Sequence, residues 1–422
     1  MHTSEIIFFV IIGILMLDYL FGRILDHLNA KNMRFGLPEA LKGIYDEKAY
    51  KKSRQYELDN QKMKWITSSF NVLFFILFLL LDGFALVDQL VREITSHQIL
   101  IPLLFFGILM FALDLLHIPF TVYDTFVIEE RYGFNKTTVK TFITDKLKGW
   151  FLTAILGGGL MAIVVWFYYT TQEMFWIYTW ILVTVFSIFM TMFYTQLILP
   201  LFNKLSPLQQ GELKSRIFEL SERAGFSIKD IFLMDGSKRS TKANAFFSGL
   251  GSKKHIILFD TLVKELNVNE IVSVLAHEIG HYRKKHTRAN LILSIAQTGL
   301  TLYILSLFID NNLLSKALGV SQPSFHIGLI AFGLLYSPIS TVLGIGMNYL
   351  SRKFEYQADR FAAAFGLTTG LAEALKKLSV KNLSNLTPHP AYVFVNYSHP
   401  PLLDRLSALE QMTDNQDYSS NE

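Results

Sequence analysis

Seven apolar stretches constrain this chain more than any other feature of its sequence. A helix that crosses the hydrocarbon core of a bilayer needs about 20 consecutive, mostly apolar residues. Seven stretches are close to this length or exceed it: residues 6–22, 66–87, 99–120, 150–169, 175–199, 289–309 and 326–350. Helices in soluble proteins are rarely apolar on every side. The sequence therefore predicts a mainly α-helical integral membrane protein with seven transmembrane helices.

The composition agrees with this prediction and excludes several classes of protein. Only 18% of the 422 residues are charged, whereas soluble domains carry about 25%. The chain has no cysteine, which excludes disulfides, thiolate metal ligands and a cysteine nucleophile. The net charge of +4 is small for this length and does not favour a nucleic-acid partner. No Lys or Arg precedes the first apolar stretch, so we interpret it as a membrane anchor rather than a signal peptide.

The distribution of Lys and Arg predicts the orientation in the membrane, because cytoplasmic loops carry an excess of these residues. Segments 23–64, 121–149 and 200–288 contain ten, five and fifteen of them, and the part after residue 350 contains seven. The alternate segments 88–98, 170–174 and 310–325 contain one, none and one. The N terminus is therefore predicted outside and the C terminus in the cytoplasm.

A metal-binding motif lies in the longest basic segment. The sequence His277-Glu278-Ile279-Gly280-His281 has the pattern His-Glu-x-x-His. Residues four apart lie on one face of a helix, so the two histidines can bind one ion while Glu278 stands beside it. The alternative is a pair of surface histidines on an amphipathic helix.

The third ligand is predicted after the seventh apolar stretch. Zinc in hydrolases normally takes three protein ligands and leaves one position for water. Without cysteine, the third ligand must be His, Asp or Glu. Glu355 is the best candidate, because no Gly or Pro interrupts Met347–Phe365 and the helix of stretch 326–350 can therefore continue through Glu355. Asp359, one turn further, could accept the free ring N–H of a ligating histidine. The alternative for both carboxylates is a solvated helix face paired with neighbouring arginines.

These residues predict one Zn²⁺ per chain, held by His277, His281 and Glu355. Zinc lowers the pKa of a bound water and polarises a scissile carbonyl. Glu278 would take the water proton and return it to the leaving amine, first as general base and then as general acid. We interpret His286 as a neighbour of the site or a surface residue, rather than as a fourth ligand.

Three further segments carry a resemblance to a known family. They are Phe126-Val127-Ile128-Glu129-Glu130-Arg131-Tyr132-Gly133-Phe134-Asn135-Lys136, then Asn244-Ala245-Phe246-Phe247-Ser248-Gly249, and Ser398-His399-Pro400-Pro401-Leu402-Leu403-Asp404-Arg405-Leu406. With the His-Glu-x-x-His motif and segment 351–359, the chain resembles the CAAX prenyl protease 1 family. Members of that family are seven-span zinc endopeptidases that cleave prenylated CAAX proteins. The resemblance covers most of the chain.

The resemblance implies an architecture and two further site residues. Seven tilted helices would enclose a large water-filled chamber in the membrane, with the zinc site at its cytoplasmic end. Asn244 would contact the substrate at a strand that pairs with an extended peptide. His399 would lie near the scissile bond and hydrogen-bond a substrate carbonyl or the developing oxyanion. Without the resemblance, Asn244 could equally form a turn, and His399 could be packed or cap a helix.

We expect the chain to be organised in five parts. Residues 1–199 form a membrane region with five transmembrane helices and cytoplasmic loops, and residues 289–350 form the sixth and seventh. Residues 200–288 and 351–413 form a cytoplasmic, gluzincin-like catalytic domain, and residues 414–422 a disordered tail. Strand-forming residues 243–247 and 255–259, joined through Gly249-Leu250-Gly251, predict a small β-hairpin in that domain.

The sequence as a whole predicts a membrane zinc metalloendopeptidase that cleaves near the C terminus of a prenylated or otherwise membrane-associated protein. We expect a monomer in the lipid bilayer, either in a bacterial inner membrane or in the endoplasmic reticulum of a eukaryote, with the active site facing the cytoplasm. One alternative is a quality-control protease that degrades misfolded or translocation-stalled proteins without prenyl specificity. A non-enzymatic receptor or transporter would not explain why four residues are expected at the same face of the membrane: His277, Glu278, His281 and Glu355.

Overall fold

The computed structural model of the protein describes residues 2–33, 42, 46–248 and 255–419, with side chains up to residue 413. The predicted turn Gly249-Leu250-Gly251 lies outside these residues, as do the side chains of the predicted tail at 414–422. Within the described residues the α-helices are α1 (Thr3–Asn32), α2 (Glu47–Leu80), α3 (Gly83–Ile94), α4 (Leu100–Tyr123), α5 (Val139–Leu152), α6 (Gly158–Thr171), α7 (Phe175–Leu197), α8 (Leu199–Phe202), α9 (Glu212–Arg223), α10 (Asp260–Glu265), α11 (Val268–Arg283), α12 (His286–Phe308), α13 (Asn312–Ala317), α14 (Phe325–Ala364), α15 (Thr368–Lys381), α16 (Pro390–Asn396) and α17 (Leu402–Ser419).

Six helical runs in the described part of the chain are long and apolar enough to cross a membrane. They are α1, α2, α12 and α14, the run Leu100–Glu129 that contains α4, and the run Val139–Phe202 that contains α5 to α8. In each run, the rest of the protein buries at most 28% of the 18 residues that form its most apolar part. Large apolar side chains such as Leu17 and Leu73 are therefore exposed. A bilayer supplies the apolar surroundings that such a surface needs.

The run Val139–Phe202 accounts for the difference between the seven predicted stretches and the six observed runs. It is 64 residues long and includes two of the predicted stretches. A 3₁₀ turn begins at Gln172, whose φ of 48° interrupts the helix. The rings of Phe167 and Tyr178 are 5.5 Å apart, whereas eleven residues of straight helix would span about 16 Å. The chain therefore reverses direction at this turn, and α6 packs against α7.

A four-stranded sheet lies in the polar part of the chain. Its strands are β1 (Leu205–Pro207), β2 (Asp230–Met234), β3 (Ala245–Ser248) and β4 (His255–Phe259), in the spatial order β1-β2-β4-β3. β2 and β4 are parallel, and the other two pairs are antiparallel. β3 and β4 are the strands of the predicted hairpin. β1 and β2 were not predicted, because short apolar runs such as β2 have no diagnostic period.

One hydrophobic core joins the two parts of the predicted catalytic domain. Helices α9, α11 and α15 pack with the sheet around buried residues from both parts, which include Ile217, Ile256, Leu258, Leu275, Ile279, Ala362, Leu371 and Leu409. The apolar helices that separate these parts along the chain do not separate them in space. Residues 200–288 and 351–413 therefore both contribute to this core.

The long helix α14 connects the membrane region to this core. It has 40 residues and continues past residue 350 to Ala364, as predicted. Its last three turns carry Glu355 and Asp359, both buried, and they pack against α11. One continuous helix therefore links the apolar helices of the protein to the polar site at its end.

Candidate metal centre

Helix α11 carries the His-Glu-x-x-His motif and begins at a capping box. The Asn267 side chain accepts a hydrogen bond from the Glu270 amide (3.0 Å), and the Glu270 carboxylate accepts one from the Asn267 amide (2.9 Å). These two bonds satisfy amide donors that a helix N terminus otherwise leaves unpaired. Leu275 and Ile279 are buried in the core described above. The start and one face of α11 are thus held in place, which positions the motif.

Gly280 allows α11 to approach α14 closely. A Cβ atom at this position would lie 3.0 Å from the Cα atom of Ala358 and 3.0 Å from the Cβ atom of Phe361. Such contacts are closer than packed carbon atoms prefer. Any larger residue at position 280 would push the helices apart. The glycine therefore brings the predicted ligands of both helices within reach of one ion.

Three predicted ligand side chains converge between the two helices. The Nε2 atom of His277 lies 3.2 Å from Nε2 of His281 and 3.4 Å from Oε2 of Glu355. The Nε2 atom of His281 lies 3.2 Å from Oε1 of Glu355. Ligands at roughly 2.0–2.2 Å from a tetrahedral zinc ion are separated from one another by about 3.3–3.5 Å. The three side chains therefore have the spacing of a zinc site.

A buried carboxylate and a buried guanidinium support the first histidine. The Nδ1 atom of His277 lies 2.7 Å from Oδ1 of Asp359, so the ring donates there and leaves Nε2 facing the other ligands. Arg405 donates to both oxygens of Asp359, at 2.6 and 3.0 Å. Its Nη1 atom also lies 3.4 Å from Oε2 of Glu355. Burial lowers the pKa of Arg405, but these two carboxylates outweigh burial and raise it.

A second chain of hydrogen bonds supports the other histidine. The Nε2 atom of His286 lies 2.8 Å from the carboxamide oxygen of Gln357, which can only accept, so this nitrogen donates. The Nδ1 atom of His286 must then accept, and it lies 3.2 Å from Nδ1 of His281. His281 consequently donates through Nδ1 and presents a free Nε2. The ring of His286 is buried and stacks on Phe354 at 4.1 Å.

The donor set fits a zinc ion. Both imidazoles present an Nε2 lone pair to the same point, and the buried Oε2 atom of Glu355 makes no hydrogen bond. Two lone pairs and an anion around one buried point repel each other unless a cation lies between them. Without a cation, a proton is favoured there. Burial lowers the pKa of His277, but the neighbouring carboxylates of Asp359 and Glu355 outweigh burial and raise it to about 9.

The predicted general base lies beside the cluster. Glu278 is partly exposed, whereas His277 and Glu355 are buried. The negative charge of Glu278 is close enough to contribute to the raised pKa of Arg405. Because Glu278 is partly exposed, its carboxylate is accessible to water.

The structure brings His399 to the cluster and gives the Asn244 side chain a different hydrogen-bond partner. The exposed His399 ring places Nε2 at 3.3 Å from Oε1 of Glu355, and its Nδ1 atom lies 3.0 Å from the Ser398 hydroxyl. Asn244 is exposed at the start of β3, where its side chain accepts a hydrogen bond from the Ala245 amide (2.8 Å). Among the described residues, Asn244 makes no hydrogen bond to the cluster.

Arg405 is a residue of this site that the sequence analysis did not assign. A signal for it exists, because Leu402, Leu406 and Leu409 are buried on one face of α17 and Arg405 lies on that face. An arginine on a buried helix face needs a carboxylate partner. The contacts of His286 with His281 and Gln357 were also not predicted; of the two interpretations given for His286, the structure favours a neighbour of the site over a surface residue.

A His-His-Glu cluster formed by α11 and by the end of the long apolar helix α14 defines a class: the protein is a membrane-embedded metallopeptidase. Residues 26–204 match the family described as "CAAX prenyl protease N-terminal, five membrane helices", and residues 207–413 match peptidase family M48. The chain therefore belongs to the CAAX prenyl protease 1 family of M48 metallopeptidases. Members of family M48 are zinc-dependent.

Individual relatives agree over almost the whole chain. The CAAX prenyl protease 1 homolog of Arabidopsis thaliana is 34% identical over 410 residues, which are 95% of this chain and 96% of that protein. The CAAX prenyl protease 1 of Saccharomyces cerevisiae is 33% identical and covers 90% of this chain. The crystal structure of S. mikatae Ste24p is similar with a TM-score of 0.90 at 32% identity, over 96% of this chain and 98% of that one. The helical, multi-pass architecture and the protease class predicted from the sequence are thereby confirmed.

Proposed function

We propose that this membrane metalloprotease cleaves isoprenylated proteins near their C terminus. The observation that carries the proposal is the convergence of His277, His281 and Glu355 at the end of α14, in a chain that resembles CAAX prenyl proteases over nearly its full length. The relatives named above are CAAX prenyl proteases. Their names do not favour the alternative of a quality-control protease.

Each cluster residue has a role in this proposal. His277, His281 and Glu355 would hold one zinc ion per chain, and zinc, when bound, supplies a polarised water molecule and a Lewis acid for the scissile carbonyl. Glu278 would accept a proton from the attacking water and return it to the leaving amine nitrogen. Asp359 would keep the His277 ring in the orientation that leaves Nε2 free.

Two exposed features would receive the peptide. β3 forms an outer edge of the sheet as described, with Asn244 at its start, and an extended peptide can pair with such an edge. His399 would donate a hydrogen bond from Nε2 to the substrate carbonyl or oxyanion. Its position beside the Glu355 carboxylate and its exposure support this role.

We also propose the membrane arrangement predicted from the sequence. Seven helices would surround a polar chamber, with the N terminus outside and the metal centre in the cytoplasm. The reversal at Gln172, which divides the run Val139–Phe202 into two packed helices, supports seven spans rather than six. The distribution of Lys and Arg supports the orientation. Residues 1–199 and 289–350 would then form the membrane region of a monomer, and 200–288 with 351–413 the catalytic domain.

A comparison of two peptides tests the substrate. A farnesylated and an unmodified peptide of one CAAX sequence are incubated with the purified protein, and the released tripeptide is measured. We expect cleavage of the farnesylated peptide to be at least tenfold more efficient in kcat/KM. Glu278→Gln should retain zinc and lose cleavage of both peptides. Equal turnover of the two peptides would contradict prenyl specificity, and activity retained by Glu278→Gln would contradict the role of this residue.

A further inference from the structure

The segment Glu129-Glu130-Arg131-Tyr132-Gly133-Phe134-Asn135 has no role in the chemistry described above. It follows α4 and a π-helical turn at Asp124–Glu129. Its end pairs with the chain that leads into β3. The Thr241 amide donates to the Phe134 carbonyl (3.0 Å), and the Lys136 amide donates to the Arg239 carbonyl (3.0 Å). The loop after α4 is therefore hydrogen-bonded to the residues that lead into β3, the strand proposed to pair with the substrate.

The side chain of Lys242 makes further contacts between the same two parts of the chain. The ammonium group of Lys242 lies 2.9 Å from Oε2 of Glu129 and donates to the Tyr56 hydroxyl at 2.8 Å. The Tyr56 hydroxyl in turn donates to Oε1 of Glu129. The Lys242 ammonium also lies 4.5 Å from the ring centroid of Phe134, a cation–π distance. Three groups from two parts of the chain thus surround one ammonium.

The network is more than a surface ion pair. The side chains of Lys242 and Glu129 are 37% and 19% exposed, and Tyr56 and Phe134 are buried. Partly buried charges are screened less by salt and water than exposed ones. Removal of one member leaves the others with unsatisfied polar groups, which is the costly case.

The backbone beside Lys242 is fixed from the opposite side. The Thr261 hydroxyl donates to the Lys242 carbonyl (2.9 Å). The Asn382 carboxamide accepts from the Ala243 amide (3.2 Å) and donates to the Ala243 carbonyl (3.4 Å). The next residue is Asn244, where the exposed edge begins. Lys242 and Ala243, whose backbone is held by these hydrogen bonds, therefore directly precede the edge of β3.

We propose that Lys242, Glu129 and Tyr56 are positioning residues that hold the exposed edge of β3 in register for an extended substrate. The proposal rests on the proposed function, in which β3 pairs with the peptide. Asn244 follows Lys242 by two residues, or about 7 Å of extended chain. We therefore expect release of the Lys242 ammonium to loosen Asn244 and the amides after it. Through its contact with Lys242, Glu129 thereby couples the loop after α4 to the peptide edge.

Hydrogen exchange tests the positioning without any substrate. Amide exchange of peptides that cover 241–248 is measured by mass spectrometry in the zinc-loaded, full-length protein. We expect Glu129→Gln and Lys242→Met to accelerate exchange there at least fivefold and to leave α11 unchanged. Arg131→Met is the matched control, because Arg131 lies in the same segment and pairs instead with Asp59 at 2.8 Å. Exchange at 241–248 that equals this control, or that rises equally over the whole domain, would overturn the proposal.

Kinetics test the consequence for catalysis. On the farnesylated peptide we expect Glu129→Gln and Lys242→Met to raise KM about tenfold, with kcat within twofold and zinc content unchanged. Lys242→Arg keeps the charge and should stay within about threefold of wild-type KM. A fall in kcat with unchanged KM would overturn the proposal. If the wild-type protein cleaves no peptide, the proposed function fails, whereas the exchange experiment still decides the positioning.

Discussion

The Nδ1 atom of His277 lies 2.7 Å from the Oδ1 atom of Asp359, although 82 positions separate the two residues in the chain. Both groups are buried. This contact selects the tautomer in which the ring donates through Nδ1 and offers Nε2 as a ligand. Since Arg405 holds both oxygens of Asp359, the orientation of one imidazole is determined by residues from three helices.

Asp359→Asn should weaken zinc binding. The carboxamide carries less negative charge than the carboxylate and can present either an acceptor or a donor to His277, so the required tautomer is no longer selected. We expect zinc affinity to fall roughly 10–100-fold, as measured by competition with a chromogenic chelator. Asp404→Asn is the control, because that carboxylate is exposed on the same helix as Arg405. Wild-type affinity in Asp359→Asn would contradict the assigned role.

Arg405→Met should destabilise the catalytic domain and release zinc. The substitution leaves the buried Asp359 without its guanidinium partner, and loss of one member of a buried pair typically costs about 3–5 kcal/mol. Arg405→Lys keeps the charge but not the two-pronged geometry, so we expect a smaller effect. The unfolding temperature in detergent is measured together with the zinc content. Unchanged values for Arg405→Met would show that this guanidinium is dispensable.

Gly280→Ala should separate α11 from α14. The new methyl group would meet Ala358 and Phe361 at 3.0 Å, and overpacking of this kind costs about 1–3 kcal/mol. Because the ligands come from both helices, zinc affinity and kcat should fall together. Gly346→Ala is a matched control in α14, where an added Cβ meets nothing within 4 Å. Both substitutions are compared by zinc titration, and equal behaviour would refute the close-packing argument.

Zinc affinity should rise with pH across the neutral range. In the absence of a bound cation, Asp359 and Glu355 raise the pKa of His277 to about 9 despite its burial. Below that pH the ring holds a proton that zinc must displace, so acid favours the proton and base favours the metal. Between pH 6.5 and 8.5 we expect close to a tenfold gain in affinity per pH unit. Calorimetry in buffers of different ionisation enthalpy should show about one proton released; no release would contradict the raised pKa.

The absence of cysteine permits a direct test of topology. Single cysteines at exposed Ser96, Glu173 and Ser407 need no background substitutions. With seven spans and the N terminus outside, an impermeant maleimide should label Ser96→Cys and Glu173→Cys in intact cells, and Ser407→Cys only after permeabilisation. Labelling of Ser96→Cys without Glu173→Cys would show that the run Val139–Phe202 does not cross the membrane twice.

The parts of this protein that depend on local sequence were predictable. Long apolar stretches predicted the membrane helices, because burial in lipid requires a continuous apolar surface. The spacing of His277 and His281 placed both rings on one helix face, because an α-helix repeats every 3.6 residues. The absence of Gly and Pro between Met347 and Phe365 predicted that α14 continues past Glu355. The resemblance then indicated the family, which the comparisons confirmed.

Contacts between distant segments were decided by the tertiary structure. Asp230–Met234 becomes a strand through its parallel pairing with β4, which its own short apolar run does not specify. Arg405 reaches Asp359 and Lys242 reaches Glu129 across 46 and 113 positions. Local periodicity places a residue on a face of its own helix or strand, but it does not state which other face will pack there. The sequence alone therefore determined the helices, the motif and the family, whereas the partners of the buried charges followed from packing between segments far apart in the chain.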